Sequence, residues 1–132
     1  MITSQAKILV IDDEIETTNL ISLVLKRAGY KVYSATDWDG ILSLLHHYEE
    51  TREDIDLVIL DIMMPERSGF DVMLILQVVM HPVPPVIFLT AKIGMDDMIK
   101  ASDMGAAKYL TKPTTPDKLV STVREVLSRR MK

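Results

Sequence analysis

The sequence predicts a doubly wound α/β domain built on one mostly parallel sheet. Three observations carry this. Five short apolar runs alternate with five helical patterns along 132 residues, the mark of repeated βαβ units. Several runs are nearly continuous aliphatic stretches, as in strands covered on both faces. The polar residues that follow these runs would then share one edge of the sheet.

Taken in order, Ile8 to Ile11 is the first strand, followed by Asp12 and Asp13. Leu20, Ile21, Val24, Leu25 and Ala28 form the stripe of the first helix, which Gly29 stops. Val32 to Ser34 is a weaker strand, nearer an edge. Asp37 caps a second helix that begins with Ile41, Leu42, Leu44 and Leu45. The polar tract from His46 to Asp56 extends that helix into an exposed loop. Its paired histidines, His46 and His47, point apart on a helix and read as solvated rather than metal-binding. Ile55 to Leu60 is the third strand, ended by Asp61. Phe70 to Met80 is the third helix, ended by Pro82, Pro84 and Pro85. Val86 to Leu89 is the fourth strand, with Thr90 at its end. Met95 to Met104 is the fourth helix, stopped by Gly105. Met95 and Met98 read as half-buried core packing, with an adaptable interface as the alternative. Ala107 to Leu110 is the fifth strand, with Lys112 just beyond it. Leu119, Val120, Val123, Val126 and Leu127 mark the last helix.

Composition bounds the function. The length suits one domain over residues 1–132. The absence of cysteine excludes disulfides, thiolate metal sites and thiol nucleophiles. A net charge of −4 argues against a nucleic-acid surface. The basic residues Arg129, Arg130 and Lys132 read as favourable charge at a helix end. No apolar stretch approaches transmembrane length, so no membrane contact is expected, and the expectation is a soluble cytoplasmic protein.

The chemistry lies at the strand ends. Periodicity does not fix the strand order; the flavodoxin-like order 2-1-3-4-5 is favoured because it sets the first and third strands side by side and brings Asp12, Asp13 and Asp61 together. Three acids there repel one another unless something positive sits among them, and a hard divalent cation such as Mg²⁺ suits oxygen ligands. Thr90 and Lys112 add a hydroxyl and an ammonium on the same edge. Together these groups look like a metal-assisted site for a phosphoryl group. Glu14 reads as serving the first turn of the following helix.

The segments ILVIDDE, LVILDIMMPERSGFDV, PVIFLTA and AAKYLTKP, in this order, resemble the receiver domain of two-component response regulators over nearly the whole chain. The resemblance implies that Asp61 accepts a phosphoryl group from a phosphohistidine on a histidine kinase or histidine phosphotransfer protein. It implies that Asp13 binds Mg²⁺ directly, with Asp12 assisting, and that Asp61 and the main-chain carbonyl of Met63 complete the set. Thr90 and Lys112 would contact the phosphoryl oxygens, the Lys112–Pro113 bond would be cis, and Tyr109 would change rotamer on switching. The partner downstream would be a protein target or an output domain, with phosphorylation-dependent dimerisation as a further option. Apolar Met63 and a shielding Lys92 predict slow self-dephosphorylation.

Three rivals stand beside this reading. A haloacid-dehalogenase-like phosphohydrolase wants a second acid two residues after its nucleophile, where this chain has Met63. A flavodoxin-like FMN binder wants a neutral, hydroxyl-rich first loop, where this chain has Asp-Asp-Glu. A phosphorylation-independent interaction module of receiver fold would not require the five site residue types that are all present.

Overall fold

A computed structural model describes residues 5–92 and 94–130 of the protein. The elements alternate throughout: β1 (Lys7–Ile11), α1 (Ile15–Arg27), β2 (Lys31–Ala35), α2 (Trp38–Thr51), β3 (Leu57–Leu60), α3 (Gly69–Val79), β4 (Val86–Thr90), α4 (Met95–Asp103), β5 (Lys108–Thr111) and α5 (Pro116–Arg130). All strand pairs are parallel and the order is β2-β1-β3-β4-β5, as the sequence predicts. None of the described helices is long and apolar enough to cross a membrane.

The continuous aliphatic runs are explained by two cores, one on each face of the sheet. Leu9, Ile11, Val58, Leu60, Val86 and Phe88 point to one face, where α2, α3 and α4 cover them. Their neighbours Ile8, Val10, Leu57, Ile59, Ile87 and Leu89 point to the other, under α1 and α5. Alternate residues thus serve opposite cores, so the middle positions of the central strands are apolar and polar residues fall at strand ends, such as Lys7 and Thr90. Each fully buried aliphatic side chain contributes roughly 1.5–3 kcal/mol. Phe88 anchors the first core, with its ring 5.4 Å from Phe70 and 6.3 Å from Tyr109.

Helix ends follow local chemistry. The Asp37 side chain caps α2, accepting from Gly40 N at 2.7 Å. Ser68 and Asp71 form a capping box at α3. Gly29 (φ +100°) and Gly105 (φ +92°) take the left-handed conformation after α1 and α4. Both Lys112–Pro113, as expected, and His81–Pro82 are cis.

Several expectations need correction. The buried face of α1 is Thr18, Ile21 and Leu25, whereas Leu20 is 61% exposed. The stripe is therefore rotated toward Thr18, whose hydroxyl donates to the main-chain oxygens of Asp12 and Glu14 and is thereby made compatible with burial. Leu42 likewise faces solvent. β3 begins at Leu57 rather than Ile55, because the Asp56 carboxylate accepts from Lys7 N at 2.8 Å and ties down the loop before the strand. The tract after His46 is not wholly a solvated face: Glu53 gathers Lys7, Lys31, Tyr33 and His47. His46 and His47 are exposed, as expected, each beside a glutamate. Met95 and Met98 are exposed, not core. Arg129 pairs with Glu125 at 2.7 Å, while Lys132 and the side chain of Arg130 lie outside the described residues.

Candidate functional site

The site occupies the carboxyl edge of the sheet, where β1, β3, β4 and β5 end. Parallel pairing sets Ile11 beside Leu60, so the residues that follow them, Asp12 and Asp61, emerge next to each other. Asp12, Asp13 and Asp61 each bring a carboxylate oxygen within 4.8 Å of the others. Asp12 and Asp61 are buried and Asp13 is half-buried.

Lys112 is the positive group among these acids. It arrives from the end of β5 and sets its Nζ 2.6 Å from Asp12 Oδ2 and 2.9 Å from Asp61 Oδ2. Burial works to lower the lysine's pKa, but the hydrogen bonds to Asp12 and Asp61 outweigh it and hold the pKa above its ordinary value. Lys112 is therefore a fixed cation. Burial pushes Asp12 up from its ordinary value, against the opposing pull of Lys112. Glu14 does not direct its carboxylate to the helix start as expected; it lies 3.2 Å from Lys112 Nζ and leaves α1 without a side-chain cap. The attraction of a concentrated ammonium exceeds the modest gain of an exposed helix-end charge.

The remaining oxygens are held from the loops. Asp61 Oδ1 accepts from Met63 N at 3.0 Å, and Asp12 Oδ1 accepts from Glu14 N at 3.0 Å. Both acids thus have a main-chain donor on one oxygen and the ammonium on the other. The Asp13 carboxylate makes no hydrogen bond or ion pair among the described residues. It opens instead on a cavity of about 270 Å³, whose wall includes Trp38, with the Arg67 guanidinium stacked 4.3 Å from the indole.

Thr90 is fully buried at the end of β4. Its Oγ1 accepts from Lys92 N at 3.2 Å, while the Tyr109 hydroxyl donates to Lys92 O at 2.7 Å. One loop residue therefore joins Thr90 to Tyr109. Burial raises the Tyr109 pKa, with Asp97 and Asp61 adding to the effect, so the phenol stays a donor. Lys92 Nζ lies 3.3 Å from Asp97 and is not directed at Asp61.

All five predicted strand-end residues fall on this edge, and Met63 lies in the loop after Asp61. Sequence reasoning missed Gly69. A Cβ there would lie 2.2 Å from Asp61 O and 2.9 Å from the main chain of Ile62. The glycine lets the start of α3 close on the Asp61 backbone, with Gly69 N donating to Ile62 O at 2.9 Å. The available signal was a glycine immediately after a capping serine.

Residues 8–124 match the family model described as response regulator receiver domain. Among curated relatives, the transcriptional regulatory protein CpxR of Escherichia coli is 37% identical over 123 residues, covering 93% of this chain and 50% of that protein. Response regulator SaeR of Staphylococcus aureus is 35% identical over 125 residues, covering 95% and 52%. The chain thus spans about half the length of these relatives. A response regulator receiver domain protein from Clostridium thermocellum superposes with a TM-score of 0.80 at 35% identity, covering 96% of this chain and 97% of that one. The chain belongs to the receiver domains of two-component response regulators, which are signalling domains rather than conventional enzymes.

Proposed function

We propose that Asp61 accepts a phosphoryl group from a phosphohistidine on a histidine kinase or phosphotransfer protein, in a reaction that requires Mg²⁺. The observation that carries this is the gathering of three carboxylates within 4.8 Å, two of them fixed by Lys112. Asp12, Asp13, Asp61 and the main-chain carbonyl of Met63 would hold the ion. The donor set fits, being oxygen throughout and rich in charge. Asp13, which has no hydrogen-bond or ion-pair partner among the described residues, is the ligand that a cation would satisfy. When bound, Mg²⁺ would supply positive charge where two anionic groups must meet.

The chain's own residues supply the rest. Met63 N and Lys112 fix the orientation of the Asp61 carboxylate. Lys112 stays protonated and can follow negative charge onto the phosphoryl oxygens. The Thr90 hydroxyl, once it turns to donate to a phosphoryl oxygen, gives up its present geometry with Lys92 N. That moves the residue whose carbonyl holds Tyr109, and the β4–α4–β5 surface changes with it. Exposed Met95, Met98 and Ile99 give that surface the apolar area to bind a protein target or an output domain. The proposed receiver unit is residues 1–132, acting in the cytoplasm.

Transfer from a radiolabelled, phosphorylated histidine kinase tests the reading. Label should pass to the wild type in Mg²⁺ buffer and not to Asp61→Asn. Transfer to both proteins would overturn it.

A further inference from the structure

Like α1 and α4, α3 exposes apolar side chains, but it shows almost no charge beside them. Its sequence, GFDVMLILQVV, contains one charged residue, Asp71. Phe70, Val72, Met73 and Leu76 are buried against the sheet. The outer face exposes Asp71, Leu74 and Val78, with Leu74 at 54% and Val78 at 74%. Just beyond the last turn, His81 is also exposed, and its Nε2 lies 2.9 Å from Val78 O, which keeps the ring over the end of this stripe. A surface helix normally turns charge outward; this one turns out two aliphatic side chains between an acid and a histidine.

The order acid, apolar, apolar, histidine at positions 71, 74, 78 and 81 reads the same in spacing from either end. We propose that this face binds a second copy of the chain, with the two α3 helices antiparallel about a two-fold axis. Leu74 then meets Val78 of the other copy, and Asp71 meets the other copy's His81. A two-fold interface must be self-complementary. Here the apolar pair is closed at both ends by Asp71 facing the other copy's imidazole, whose Nε2 would exchange Val78 O for the carboxylate, so antiparallel alignment sets a donor against an acceptor at each end. In parallel alignment Asp71 would meet Asp71. One pair of 11-residue helices covers less than the ~1,200 Å² of a stable complex. The association is therefore weak and depends on concentration. It does not depend on phosphoryl transfer at Asp61.

Sedimentation velocity of the full chain from micromolar to millimolar concentration tests this. The wild type should shift toward dimer as concentration rises, and Val78→Glu and His81→Asp should both reduce the shift; circular dichroism checks that each is folded. Because the chain has no cysteine, alignment can be read by crosslinking. An oxidised mixture of Leu74→Cys and Val78→Cys should give more mixed disulfide dimer than either variant gives alone. A wild type that stays monomeric at millimolar concentration, association unaffected by Val78→Glu, or crosslinking favouring like with like would overturn the proposal.

Discussion

Lys112 Nζ lies 2.9 Å from Asp61 Oδ2, although 51 residues separate them in the chain. The contact changes the account of the acid cluster. Sequence alone suggested that three carboxylates need a metal ion to coexist. The structure shows that two of them already share an ammonium, leaving Asp13 as the carboxylate without a partner among the described residues.

Asp13→Asn removes a negative charge that Lys112 does not offset directly, so the metal-free protein should gain stability on the order of 1 kcal/mol. Its melting temperature in EDTA should rise, and the further rise on adding Mg²⁺ should shrink. Trp38, the only tryptophan, lines the same cavity as Asp13, so its fluorescence offers a second readout of Mg²⁺ binding. A lower melting temperature in EDTA would contradict the prediction.

Gly69→Ala should damage both stability and the site. The added carbon would sit 2.2 Å from Asp61 O, so the α3 start must move away from the loop that positions Asp61. Overpacking of this kind costs roughly 1–3 kcal/mol. Urea unfolding should show the loss, and Mg²⁺ affinity should fall in the folded protein. An unchanged midpoint and affinity would mean that the loop yields without cost.

Glu53 gives a pH prediction. The Tyr33 hydroxyl, with Lys7 and Lys31, lowers its pKa from 4.5 to about 2. A depressed carboxylate stabilises the fold above its unfolded pKa and loses that contribution as pH falls toward the folded value. Glu53→Gln should therefore be less stable than wild type at neutral pH. The difference should shrink between about pH 4.5 and pH 2. A gap in melting temperature that persists unchanged through this window would exclude the mechanism.

The lifetime of the phosphoryl group should be set in part by Met63. Its side chain is exposed and cannot hydrogen-bond an attacking water. Met63→Asn should shorten the half-life of the phosphorylated protein in Mg²⁺ buffer several-fold, with little effect on melting temperature. Lys92 can shield the group only by leaving Asp97, so Asp97→Asn should lengthen the half-life. Loss of label at the same rate in all three proteins would refute both roles.

Much of the architecture was legible because parallel strands covered on both faces cannot hide their composition. ILVI, LVIL and VIFL have no polar position, and each stops where the chain reaches the sheet edge. The same property exposed the site, since Asp12, Asp61 and Thr90 break the apolar rule at the edge where ligands bind. Helix faces were less legible. An apolar stripe fixes an arc but not its centre, so Leu20 and Met98 read as inward although both are exposed, and in α1 it is Thr18 that is buried. α2 ends on Arg52, a non-glycine in the left-handed conformation (φ 55°), which sequence does not signal. Individual side-chain pairings were not legible. Nothing near Glu14 indicates that its partner is Lys112, nor does Lys92 announce Asp97.

The most direct test of the central claim is the intact mass of the protein after incubation with acetyl phosphate, with Mg²⁺ or with EDTA, for wild type and Asp61→Asn. One phosphoryl group should appear on the wild type in Mg²⁺, and little or none in EDTA or on Asp61→Asn. Equal labelling of Asp61→Asn, or labelling of the wild type that is indifferent to EDTA, would contradict a magnesium-dependent phosphoacceptor at Asp61.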